Sequence, residues 1–190
     1  MIEPGEVKEP SKGNVLKFGI TSPLREGDKG VLVFLQPEQP LSDAIAQVCH
    51  TWGFPDPSIF ALKYNDPPYH YITDSTRKEI SGKLVSMQYS PIKVCQEILE
   101  KFKSTSPAVV ESGLKELADK ASDPTLADVF VTAVDGLTVL IELVEKEKLI
   151  EREKSLQYAL QALLDIMLHS THATWDKLQP SVISRYMQLC

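Results

Sequence analysis

A chain of 190 residues has room for one large domain or two small ones, and for a sizeable core without a metal or disulfide staple. Apolar residues make up 43% and charged residues 24%, which excludes disorder throughout. The formal net charge of −6, from 20 basic and 26 acidic residues, excludes a general affinity for phosphate backbones, and the basic pair Arg77-Lys78 is followed at once by Glu79.

Cys49, Cys95 and Cys190 are widely separated and form no C-x-x-C, so they read as reduced thiols of a cytoplasmic protein. The opening Met1-Ile2-Glu3-Pro4-Gly5 is acidic and lacks the apolar stretch of a signal peptide. The longest apolar run, Val31–Leu35, falls far short of the ~18 residues of a membrane span, and no lipidation box is present at either end.

In chain order, residues 1–13 read as a mobile tail. Leu16, Phe18 and Ile20 alternate with Lys17 and Gly19, the pattern of a half-buried strand. A polar loop over residues 21–29 leads to a second strand at Val31–Leu35, and the two form a hairpin with an open sheet edge. Leu41, Ile45, Val48, Cys49 and Trp52 recur at helical spacing. Ser42 is expected to cap this helix, Asp43 to complement its positive end, and Gly53 to close it in a left-handed cap.

Phe60, Leu62 and Tyr64 predict a third strand. After the turn cluster Asn65-Asp66-Pro67-Pro68, residues 69–73 predict a short fourth strand, residues 74–80 a helical turn or two ended by Gly82, and Leu84–Tyr89 a fifth strand. Strand–strand–helix–strand–strand–strand is the order of a ubiquitin-like roll, one helix packed on a mixed sheet.

Ser90-Pro91 marks a change of texture. The helical stripes beyond it are Ile92/Cys95/Ile98/Leu99/Phe102, Val110/Leu114/Leu117/Ala118/Ala121, Leu126/Val129/Phe130/Ala133, Leu137/Leu140/Ile141/Val144 and Leu156/Ala159/Leu160/Leu163/Met167. Asp123-Pro124 reads as a cap followed by proline at the first helical position. Residues 169–181 read as a linker, and Val182, Ile183, Tyr186 and Met187 begin another stripe. Short helices joined by turns predict an α-solenoid, and Gly136-Leu137 followed by apolar pairs is similar to the last helix of an armadillo repeat. With about two repeats and no polar capping helix, the chain is expected to be the N-terminal piece of a longer protein.

There is no P-loop, G-x-G-x-x-G, G-x-S-x-G or H-E-x-x-H. His169 and His172 are read as solvated side chains at a helix end rather than metal ligands, Cys49 as a core thiol, and Trp52 and Trp175 as packing anchors. The mixed-sign run 146–154 reads as a solvated helix start or loop. No cofactor is expected. Lys17, Arg25 and Lys29 give the hairpin some positive charge, which suits an acidic, strand-like partner segment.

Several motifs carry a family resemblance. Val48-Cys49-x-x-Trp52, Phe60-Ala61-Leu62, Tyr71-Ile72-Thr73 with Arg77-x-Glu79-Ile80, and Ser90-Pro91 resemble the N-terminal region of the engulfment and cell motility (ELMO) family. Asp135-Gly136-Leu137, residues 162–167 and Thr174-Trp175-Asp176 resemble that family's first armadillo repeats. The resemblance implies an α+β chain: a ubiquitin-like β-grasp Ras-binding domain over residues 14–90, then an all-α armadillo-type solenoid over residues 91–190. It implies a non-enzymatic adaptor. The first domain would bind an active Rho-family GTPase such as RhoG. The repeats would bind the cytoplasmic tail of an adhesion receptor. A DOCK-type exchange factor that activates Rac would bind only through regions beyond this chain. Such a protein is cytoplasmic and recruited to the plasma membrane by its partners. The GTPase-binding residues implied are Lys17, Ser22, Pro23, Leu24, Arg25, Phe54 and Pro55, with Gly53 and Ser22-Pro23 departing from the family's usual Trp-Ser and Trp-Pro. The alternative is an interaction module with an autoinhibitory or structural role and no GTPase binding.

Overall fold

The computed structural model describes residues 15–23, 30–67, 69–145 and 153–173. Four strands form one sheet: β1 (Leu16–Thr21), β2 (Val31–Leu35), β3 (Phe60–Tyr64) and β4 (Leu84–Tyr89), in the order β2-β1-β4-β3. β1 pairs antiparallel with β2 and parallel with β4, and β3 pairs antiparallel with β4, so the two central strands are the parallel pair. Helix α1 (Leu41–Trp52) lies across the inner face. Alternation explains why: Phe18, Ile20, Val33, Leu35, Leu62, Val85 and Met87 point inward and bury against Ala44, Val48 and Cys49 of α1. Each such large side chain contributes about 1.5–3 kcal/mol by leaving water.

Among the described residues five helices follow: α2 (Pro91–Phe102), α3 (Pro107–Lys120), α4 (Pro124–Thr132), α5 (Gly136–Glu145) and α6 (Glu153–His169). α6 runs along α3 and also touches α4 and α5, and α2 contacts α3, α4 and α5. Their apolar faces make a second core, which includes Cys95, Ile98, Leu114, Leu117, Phe130, Leu140 and Leu163. The glycine that opens α5 faces a ring rather than a neighbouring backbone: a Cβ on Gly136 would stand 2.5 Å from Phe130 Cζ.

Three expectations are corrected. Residues 69–73 do not form a strand; they make a single bridge, Lys63 with Tyr71. Tyr69 sits at φ 57°, and although Ile72 N–H still reaches Leu62 O, the Tyr71 N–H goes to Asp123 and the Thr73 N–H to the Thr76 hydroxyl. Ser42 does not cap α1. Pro40 occupies the cap position without a side-chain bond, and Asp74 accepts the Leu41 N–H at 2.9 Å from 33 residues away. Ile92 is 48% exposed, because α2 turns Pro91, Val94 and Cys95 inward instead. Gly53 does close α1 with φ 74°, letting Phe54 N–H reach back to Cys49 O at 2.9 Å. Asp123 caps α4 as expected, accepting from Thr125 N–H at 3.0 Å and Leu126 N–H at 3.3 Å. The stripe beginning at Val182, Trp175 and Cys190 lie outside the described residues, as does most of the run 146–154.

Candidate partner-binding surface

Lys17 is exposed on the outer face of β1, opposite Phe34 of β2, with its ammonium 5.7 Å above the centre of the Phe34 ring. Ser22, at the other end of β1, is 6% exposed and its hydroxyl donates to Met87 O at 3.3 Å. Pro23, the next residue, is exposed. Leu24, Arg25 and Lys29 are not among the described residues.

Phe54 follows the left-handed Gly53 and is half-buried. Its ring lies 6.2 Å from Trp52 and 5.0 Å from Phe60, and Phe60 stacks on Tyr89 at 5.6 Å. Pro23 and Tyr89 line one small depression of about 130 Å³. Pro23 thus neighbours Tyr89 across this depression, and Phe54 connects to Tyr89 through Phe60. Lys17 lies about 17 Å from Ser22 along β1, five residues at strand rise.

Sequence reasoning missed two features. The first is an apolar patch on the outer face: Leu32, Phe34 and Leu84 are 52%, 58% and 53% exposed. Gly19 lies between Leu32 and Leu84 in the sheet, and a Cβ there would stand 2.8 Å from Leu84 Cδ1. The signal was present in β2, whose outward positions are as apolar as its inward ones.

The second is the junction between the sheet and the helices. The Tyr71 N–H donates to Asp123 Oδ2 at 3.0 Å, and the Tyr71 hydroxyl donates to Tyr89 O at 2.9 Å. Lys63 Nζ stands 3.8 Å from Asp123 Oδ2 and 4.7 Å above the Tyr71 ring. Burial pulls the Lys63 ammonium below the ordinary lysine range; Asp123 opposes this and Lys120 adds to it. Burial, with Asp123 beside it, pushes the Tyr71 phenol up.

The two described thiols, Cys49 and Cys95, are both buried. Cys49 is buried beside Met87 Sδ, and burial, with a smaller contribution from Asp56, raises its pKa. Burial pushes the Cys95 thiol up to about 12. Among the described residues no three His, Cys, Asp or Glu side chains gather as a metal site, and no helix is long and apolar enough to cross a membrane. His172 does not pair with His169; its N–H donates to Ser170 Oγ, in a turn tied to Asp128 of α4.

Residues 14–90 match the ELMO protein N-terminal Ras-binding domain, and residues 125–190 match the ELMO armadillo-like helical domain. The chain is 31% identical over 179 residues to engulfment and cell motility protein 2 of Bos taurus, covering 93% of this chain and 24% of the relative. It is 29% identical over 189 residues to engulfment and cell motility protein 1 of Homo sapiens, covering 93% and 25%. Identity to engulfment and cell motility protein 3 of Bos taurus is 28% over 148 residues, covering 77% and 22%. The chain thus spans about a quarter of the length of these relatives. The chain belongs to the ELMO family, carrying its N-terminal Ras-binding and armadillo-like regions.

Proposed function

We propose that this chain is the GTPase-engaging part of a non-enzymatic adaptor. Residues 14–90 act as a ubiquitin-like β-grasp domain that binds a Rho-family GTPase, RhoG-like, in its GTP state. Residues 91–190 begin an armadillo-type solenoid that receives an adhesion-receptor tail. The protein is cytoplasmic, is drawn to the plasma membrane by these partners, and couples to a DOCK-type exchange factor and Rac through regions beyond this chain. The observation that carries the reading is the match of residues 14–90 to a Ras-binding domain. The mixed sheet with its parallel central pair and single crossing helix supports it.

In this reading Lys17 meets acidic groups of the switch region, and Phe54, Pro55 and Pro23 supply apolar anchors. Leu24 and Arg25 extend the contact, and Ser22 acts by holding Pro23 in place. GTP orders the switch segments of a GTPase, so binding must discriminate the nucleotide state.

The test is titration calorimetry of the full chain against a panel of Rho, Ras and Arf proteins in GTP-locked and GDP-loaded forms. Tighter binding to one GTP-locked Rho protein than to its GDP form supports the reading. Equal affinity for the two forms, or none for any, sinks it and favours a structural or autoinhibitory role, which the Tyr71–Asp123 junction would suit.

A further inference from the structure

Serine precedes proline three times in the chain, at Ser22-Pro23, Ser90-Pro91 and Ser106-Pro107. This dipeptide is what a proline-directed protein kinase reads. The enzyme's pocket beyond the acceptor offers no partner for an N–H, and proline alone lacks one. The fold treats the three serines differently. Ser22 is 6% exposed, and its hydroxyl donates to Met87 O. Ser90 Oγ accepts the Lys93 N–H at 3.4 Å, the Ser90 N–H donates to Ile59 O at 2.7 Å, and Pro91 is buried. A kinase could take either serine only after a core had opened.

Ser106 stands apart. It lies in the turn between α2 and α3, and Ser106, Pro107, Ala108 and Val109 are all exposed. Its N–H donates to Ser104 Oγ at 3.1 Å, but its hydroxyl makes no capping bond although it holds the cap position of α3. Its backbone is extended, with φ −82° and ψ 118°, the form in which a kinase groove holds its substrate. The first three residues of α3 are all exposed, so that turn can unwind into such a groove without opening either core.

We infer that Ser106 is a phosphorylation site for a proline-directed serine/threonine kinase, and that the added phosphate caps α3. The γ-phosphoryl group of ATP passes to Ser106 Oγ, the bond to the departing ADP breaks, and the hydroxyl proton goes to the kinase's catalytic base. The phosphate brings about −1.5 to −2 charge to the positive end of the α3 dipole. Its oxygens supply the acceptor that the serine hydroxyl does not, for the N–H groups of the first turn. Because α3 packs on α2 and α6, the modification acts on the helical region. This inference does not rest on the GTPase reading.

The test incubates a mitogen-activated protein kinase and Mg-ATP with the full chain, with Ser106→Ala, and with three synthetic peptides that carry the three Ser-Pro dipeptides. Mass spectrometry with fragment mapping reads the rate at each serine. All three peptides should be modified. The folded chain should take phosphate at Ser106 at least about tenfold faster than at Ser22 or Ser90, a ratio that about 1.4 kcal/mol of extra opening free energy gives. Ser106→Ala should fold normally, since the hydroxyl is idle, and should lose the fast phosphorylation. The phosphorylated chain should melt at a higher temperature than the unmodified one. Faster modification at Ser22 or Ser90 overturns the site. So does a folded chain that stays unmodified, whether or not its Ser106 peptide reacts. A phosphorylated chain that melts no higher than the unmodified one overturns the cap.

Discussion

Asp123 accepts the backbone N–H of Tyr71 through Oδ2 while its Oδ1 caps helix α4, so one carboxylate starts a helix and fastens the sheet to it. Tyr71 is buried in the helical core rather than in the core beneath the sheet, and Asp123 is only 4% exposed. A buried donor and a helix end therefore depend on one side chain.

Replacing Asp123 with Ala removes a cap, worth about 1 kcal/mol. It also strands a buried N–H, worth about 1–3 kcal/mol. Urea unfolding of Asp123→Ala is expected to show a loss of about 2–4 kcal/mol. Asp123→Asn keeps an acceptor for the cap and should lose less. Equal losses in the two variants would mean that the charge facing Lys63, and not the cap, carries the effect.

Gly136→Ala should be destabilising at a position where a helix would ordinarily gain from alanine. The new Cβ would stand 2.5 Å from the ring of Phe130, which is fully buried and has nowhere to move. Overpacking of this kind costs about 1–3 kcal/mol. Adding Phe130→Leu should make the glycine substitution nearly neutral; comparing melting temperatures with and without Gly136→Ala in both backgrounds checks it.

Glu116 receives hydrogen bonds from Lys101 at 2.5 Å and Lys120 at 2.6 Å. Burial works to raise its pKa, and the two lysines outweigh that, holding it below the usual 4.5. Between the folded and unfolded values the unfolded chain binds more protons, so stability rises with pH through that window. The contribution is present above about pH 4.5 and is lost as pH falls through the lower, folded value. Glu116→Gln should flatten the dependence of the melting temperature on pH in this range, and an unchanged slope would assign it to other carboxylates.

Phe54→Ala should weaken GTPase binding by about 1–3 kcal/mol if Phe54 is the interface anchor. Because Phe54 also lies against Phe60, a stability measurement must accompany the titration. Lost stability with unchanged affinity would leave Phe54 a packing residue only.

Strand and helix positions were legible because they depend on local periodicity: Leu16, Phe18 and Ile20 repeat every second residue, and Leu41, Ile45 and Val48 at helical spacing. The Asp123-Pro124 and Gly53 boundaries follow from local backbone chemistry in the same way. The proposed GTPase-contact residues rest on family resemblance, and of those described Lys17 stands near one end of β1, Ser22 and Pro23 at the other, and Phe54 and Pro55 after α1.

What tertiary structure decided was every relationship between residues far apart in the chain. Asp74 caps a helix that begins 33 residues earlier, and Tyr71 gives its N–H to a carboxylate 52 residues later, so a stretch that alternates like a strand becomes a junction. The exposure of Leu32, Phe34 and Leu84 is equally non-local, because it depends on which half of the sheet's outer face the helices cover. Sequence alone determines where the backbone can form regular hydrogen bonds and which faces are apolar. Which apolar face meets which is a matter of three-dimensional packing, where close fit between distant side chains outweighs local preference.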